Sequence, residues 1–202
     1  MGIRHTQLHP EKYYHIYNRG VNKGKVFFDT ESYHFFLRQY ARYAHPFLET
    51  FAYCLLPNHF HLLTRVKSEQ GIHQQIKADN DQPAYRHISD ALSYWLKSYT
   101  QAINKKFKRT GALFERPFKR KLVEEEAYFS QLIAYIHLYP QIHGLFGNYK
   151  EYPHSSYKSH LTNMPSKLNR TEVLDWFGGL KQYHDFHESQ ADFSKIESLI
   201  LE

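Results

Sequence analysis

The segment LETFAYCLLPNHFHLLTRVK, residues 48–67, constrains the fold more than any other part of the chain. Two runs rich in apolar, aromatic and β-branched residues are broken only by Pro57-Asn58, a turn-forming pair. The pattern predicts a strand over 48–57, a tight turn, and a second strand over 59–67 running antiparallel to the first. Side chains alternate faces along a strand, so His59 and His61 share one face while Phe60 and Leu62 take the other. Two imidazoles on one face can pack in a core, exchange hydrogen bonds or hold a metal. With 15 histidines among 202 residues, such a pair also arises by chance, and the rest of the chain has to discriminate.

Residues 12–20, KYYHIYNRG, read as an earlier strand ended by Gly20, followed by a basic turn. Asp29 or Thr30 can cap a helix on which Tyr33, Phe36, Leu37, Tyr40 and Tyr43 recur at helical spacing. Residues 68–87 are polar and aperiodic and read as a loop. From Ile88, the positions Leu92, Trp95, Tyr99, Ile103 and Phe107 mark a long amphipathic helix that ends in the basic run KKFKR. Residues 112–124 suggest a fourth strand, irregular around Pro117. Residues 124–140 suggest a helix with acids in its first turn, where the dipole favours them, and Pro140 near its end. The tail offers short helices near 171–177 and 191–201. The order β-α-β-β-α-β-α predicts an α+β fold, an antiparallel sheet with helices packed on one face, near the ferredoxin-like plan. The expected division is a main domain over 1–160, with 68–87 as a loop insertion, and a short helical C-terminal extension over 161–202.

Composition narrows the function classes. Aromatic residues make up 17% of the chain, with 17 Tyr and 15 Phe, and the formal charge is +6. A basic, tyrosine-rich surface suits a polyanion whose bases can stack, although a modestly basic protein without such a partner is equally compatible. The single cysteine, Cys54, excludes an intrachain disulfide framework and a cysteine-rich zinc site, and its apolar neighbours predict a buried small side chain. The polar start MGIRHTQLHPEK carries no signal-peptide pattern, and no stretch approaches the roughly 18 apolar residues of a membrane helix. A cytoplasmic location and no membrane partner are expected.

Two further groups of residues bear on chemistry. In LIAYIHLYP, Tyr135 and Tyr139 lie four apart and share a helix face, with Tyr128 and His143 on either side. A tyrosine can attack phosphorus when a nearby cation favours its phenolate, and a metal held by His59 and His61 would supply that charge. The plainer reading of either tyrosine is a core aromatic. ERPFKRK, 115–121, places Arg116, Lys119, Arg120 and Lys121 around Phe118, and alternation assigns Arg116 and Arg120 to one face. The turn after the first strand adds Arg19, Lys23 and Lys25. Such groups contact phosphates or are simply solvated.

Taken in order, YHIYNRG, PNHFHLL after an apolar strand, GALFERPFKR, AYIHLYP followed by HGL, and HSSY resemble the single-tyrosine HUH (His-hydrophobic-His) transposase family, in particular its REP-associated tyrosine transposase branch. The resemblance spans roughly residues 12–160. It implies a ferredoxin-like HUH endonuclease core in which His59 and His61 bind Mg²⁺ or Mn²⁺. Tyr135 would attack a phosphodiester of single-stranded or hairpin DNA, leaving a covalent 5′-phosphotyrosine and a free 3′-hydroxyl that rejoining reverses. No nucleotide cofactor is implied. A nucleoid-associated location follows from such a partner, and a homodimer is compatible because relatives include both dimers and monomers. One position departs from the pattern. Where the family carries Gln or Asn as the third metal ligand, this chain has Tyr139, a poorer neutral ligand for a hard cation. The departure leaves two expectations open, an active DNA-cleaving and rejoining enzyme, or a structured single-strand binding module with a degenerate metal site.

Overall fold

In the computed structural model, residues 6–76, 82–124 and 126–189 are described, excluding the side chains of 126–128. Four strands form, β1 (Tyr13–Arg19), β2 (Leu48–Leu56), β3 (His59–Val66) and β4 (Lys119–Val123). They make one antiparallel sheet in the order β2-β3-β1-β4. This is the α+β fold expected, with the strand order of a ferredoxin-like sheet. The helices are α1 (Thr30–Tyr43), α2 (Glu69–His73), α3 (Ala84–Lys106), α4 (Glu126–Ile142), α5 (Tyr157–His160), α6 (Arg170–Phe177) and α7 (Leu180–Ser189). Asp29 caps α1 by accepting from the Ser32 amide, and Ser32 Oγ accepts from the Asp29 amide in return, a reciprocal capping box.

The sheet is covered on both faces, not one. On the first face Tyr14, Ile16, Leu55, Phe60 and Leu62 pack with Phe36 of α1 and Trp95 and Tyr99 of α3. The Trp95 indole N–H donates to the Phe36 carbonyl at 3.1 Å, so the largest buried side chain has its polar atom satisfied. On the second face Phe51, Cys54, Leu56, Leu63 and Val123 pack with Phe129, Leu132 and Ile133 of α4. A register shift between Thr50 and Ala52 lets Thr50 reach Tyr40 Oη of α1 at 2.7 Å, while Phe51 and Ala52 both join the second core. Two-sided burial explains why 48–67 is so continuously apolar. Cys54 is fully buried, and burial pushes its thiol well above the ordinary range.

Other boundaries differ from expectation for local reasons. The polar stretch 68–87 is not one loop. Ser68 caps α2 by accepting from the Gly71 amide, and α3 starts at Ala84, directly after Pro83. Residues 77–81 lie outside the described set. β4 is short, because Leu113 and Phe114 meet Val21 and Gly20 through an isolated bridge and Pro117 interrupts the run before Lys119. The tail beyond 160 packs on the second core through Val173 and Tyr183. The expected helix over 191–201 lies outside the described residues. Among the described residues no helix is long and apolar enough to cross a membrane.

Candidate metal and phosphodiester site

The site forms where the start of β3 meets α4. The hairpin turn aims the histidines. Gly20 N–H donates to the Asn58 carbonyl at 2.7 Å, and Val26 and Phe27 amides both donate to the Pro57 carbonyl. A side chain at Gly20 would meet the Gly24 carbonyl at 2.0 Å, so the close approach of these backbones requires glycine there. Alternation then points His59 and His61 of β3, His15 and Tyr17 of β1, and Lys119 and Lys121 of β4 toward the α4 side. Cross-strand pairing places Tyr17 beside both His61 and Lys119, and His15 beside Lys121.

Tyr139 of α4 meets both histidines. Its ring lies 4.9 Å from that of His59 and 4.6 Å from that of His61, and it also stacks on His143 at 4.0 Å. Tyr135, one turn earlier, lies 6.4 Å from His61 and 5.3 Å from Tyr139, ring to ring. The structure therefore brings the four predicted residues His59, His61, Tyr135 and Tyr139 together. Both tyrosines are nearly buried, at 2% and 1% exposure. The side chain of Tyr128 is outside the described residues.

The imidazoles are held by specific partners. His59 Nδ1 lies 2.6 Å from Asn58 Oδ1, so this nitrogen carries the proton it donates to the amide oxygen. His61 Nδ1 lies 2.9 Å from His15 Nε2 in a buried contact, and Tyr17 stacks on both rings. When His61 donates through Nδ1, its Nε2 lone pair is left for another ligand. That Nε2 is buried with no hydrogen-bond partner among the described residues. Burial, then the neighbouring His15, His59 and His143, holds the His61 imidazole far below its usual range, so it stays neutral. Burial and then Lys121 lower His15 to about 3. Neutral imidazoles are the form a divalent metal requires. Two such nitrogens with an orphaned buried Nε2 fit a divalent cation, though no group of three His, Cys, Asp or Glu able to hold one occurs among the described residues. Sequence reasoning missed His15. Its signal was the HIY alternation, which puts His15 and Tyr17 on one face of β1.

The basic residues divide. Lys119 and Lys121 lie on the histidine face, with Lys119 Nζ 5.8 Å from the Tyr17 ring centre. Arg120 points the other way. It packs over Phe118 and donates to Ser89 of α3 at 3.2 Å, and burial lowers its pKa. Arg116 precedes the strand and is exposed, so the shared face expected for Arg116 and Arg120 does not form. Arg19 pairs with Glu115 at 2.7 Å. Lys23 and Lys25 are exposed in the turn after β1.

Together, sheet order and site define an α+β protein with a histidine pair and a tyrosine helix on one sheet face. Its fold is shared with the structure of a REP-associated tyrosine transposase bound to a REP hairpin, at a TM-score of 0.62 and 13% identity, covering 81% of this chain and 87% of that one. Two structures of a bacterial tRNA(His) guanylyltransferase-like protein, in complex with GTP and with ATP, match with TM-scores of 0.39 and 0.41 at 11% and 12% identity. They cover 71% and 84% of this chain, and 72% and 70% of their own. No family model and no curated protein matches the chain.

Proposed function

We propose that this protein cleaves and rejoins single-stranded or hairpin DNA through a covalent tyrosine intermediate, in the manner of a transposase. The observation that carries the reading is the meeting of the α4 phenols with the His59–His61 pair, 4.6 Å from ring to ring at Tyr139 and 6.4 Å at Tyr135. His59 and His61, with Tyr139 as a weak third donor, would hold Mg²⁺ or Mn²⁺. When bound, that ion would polarise a phosphodiester oxygen. Tyr135 Oη attacks phosphorus, the bond from phosphorus to the 3′-oxygen breaks, and the departing oxygen takes up a proton to become the 3′-hydroxyl. The reverse attack restores the DNA. Lys119 and Lys121, on the same face, would neutralise phosphates beside the scissile one.

Incubation of the protein with a hairpin oligonucleotide carrying a single-stranded flank, with and without Mn²⁺, tests this directly. A denaturation-resistant protein–DNA adduct should form only with the metal. Tyr135→Phe should abolish it and leave binding intact. An adduct that survives Tyr135→Phe removes Tyr135 from the chemistry. A second reading, a DNA-binding module that does not cut, is favoured by the burial of both tyrosines and by a phenol where a stronger ligand is expected. It predicts salt-sensitive binding with no adduct under any metal.

A further inference from the structure

We propose that the surface built from residues 19–28 and 105–116 is a track for DNA phosphates that leads up to the histidine pair. It deepens the reading above and rests on DNA being the partner. The two segments are far apart in sequence but form one surface. Gly20 bridges Phe114, the Val21 amide donates to the Leu113 carbonyl, and Lys106 Nζ pairs with Asp29 at 2.6 Å. The Arg109 guanidinium sits 5.3 Å over the Phe28 ring, which stacks on Phe107 at 4.7 Å. The same surface abuts the site, because Asn58, the residue before His59, donates through its side chain to the Lys23 carbonyl at 3.2 Å.

Its charge is one-sided. The carboxylates along it are spent in ion pairs, Asp29 with Lys106 and Glu115 with Arg19. Lys23, Lys25, Lys105, Lys108 and Arg116 are exposed, with no ion-pair partner among the described residues. Arg109 Nη1 is buried and also lacks a hydrogen-bond partner there. At the other end of the sheet the arrangement is different. Arg65 is held by Glu49 and Glu172, at 2.6 and 2.8 Å. A cluster of unpaired cations beside the candidate phosphodiester site favours a polyanion with regularly spaced charges. The Phe28 ring is already engaged by Phe107 and Arg109, so the contacts go to phosphates and contribute affinity without reading sequence. The KKFKR run is thus more than the solvated end of α3.

The test is the salt dependence of binding in EDTA, measured by fluorescence anisotropy on the full chain. The double substitution Lys105→Gln with Lys108→Gln should weaken binding to unrelated sequences equally. It should reduce the slope of log K against log salt by about 1.4 for a single strand or about 1.8 for a duplex. Comparison of a bare hairpin with a flanked one assigns the loss to stem or flank phosphates. Lys12→Gln with Lys167→Gln, two exposed lysines at the opposite end of the sheet, should change neither slope nor affinity. An unchanged slope for the Lys105/Lys108 variant, with wild-type protein binding normally, overturns the track and leaves the cleavage reading standing. Failure of the wild type to bind either oligonucleotide overturns both. A reduced slope, together with no wild-type adduct in the separate Mn²⁺ incubation, supports the track and defeats the cleavage reading.

Discussion

Acid should unfold this protein through its buried histidines, in a pH window set by their burial. His137 of α4 lies 2.9 Å from His187 of α7 and 2.7 Å from Ser156, with His160 packed beside it, and all three histidines are at most 2% exposed. Burial is the first cause holding each imidazole below its ordinary pKa, His187 at about 3, His160 at about 4, and His137 well down. His15 and His61 behave alike. These groups stay neutral when folded and titrate near 6.5 when unfolded. Their stabilisation is therefore complete above about pH 6.5 and is lost as the pH falls toward the folded values. At pH 5 each unfolded histidine has gained about 2 kcal/mol by protonation, so five of them total about 10 kcal/mol, comparable to the whole stability of a domain. The lowered carboxylates Asp29, Glu31, Asp185 and Glu188 have ordinary values near 4 and act below this window. Urea titrations in EDTA at half-unit steps from pH 7.5 to 5 should give a steep fall in unfolding free energy. His187→Gln should reduce that slope near pH 5.5 by about one proton, roughly 1.4 kcal/mol per pH unit. A stability that stays flat from pH 7 to 5 would refute the reasoning, because it would mean these imidazoles are as easily charged inside as outside.

The other predictions concern the candidate metal site. His15→Ala should lower Mn²⁺ affinity about 10- to 100-fold by calorimetric titration, since His61 loses the partner that orients its ring, and His15→Gln should recover much of it through the amide oxygen. Equal affinity in all three proteins would show that His15 does not orient the ligand. Tyr139→Gln should raise the yield of metal-dependent adduct in single-turnover assays, because an amide oxygen is a better ligand than a neutral phenol. A yield no higher than wild type would remove Tyr139 from the ligand set.

The first three strands, the first helix and the shared face of the histidine pair were legible for physical reasons. The Pro57-Asn58 turn fixed the hairpin, Asp29-Thr30 announced the start of α1, and period-two alternation put His59 and His61 on one face. The coverage of both sheet faces was encoded in the unbroken FAYCLL and HFHLL runs, but such runs also fit a strand with one mildly apolar outer face. The short β4 was illegible because Pro117 and the Gly20–Phe114 bridge act together across distant segments. Arg120 was misplaced because alternation was counted from Arg116, outside the strand. The HIY alternation marked the face His15 takes, but the His15–His61 and His137–His187 pairings span 46 and 50 residues of sequence, which no local pattern carries.

Residues 132–140 of α4 are buried without interruption, the mark of a helix enclosed on all sides. Sheet residues flank it on one side, and Tyr183 and His187 of α7 close it on another. A helix so enclosed cannot be handed to a neighbouring subunit alone, because its departure would wet the undersides of both α7 and the sheet. Exchange would have to move the tail with it as one piece. Within the chain, α7 thus forms the wall on the side of α4 that the sheet leaves open.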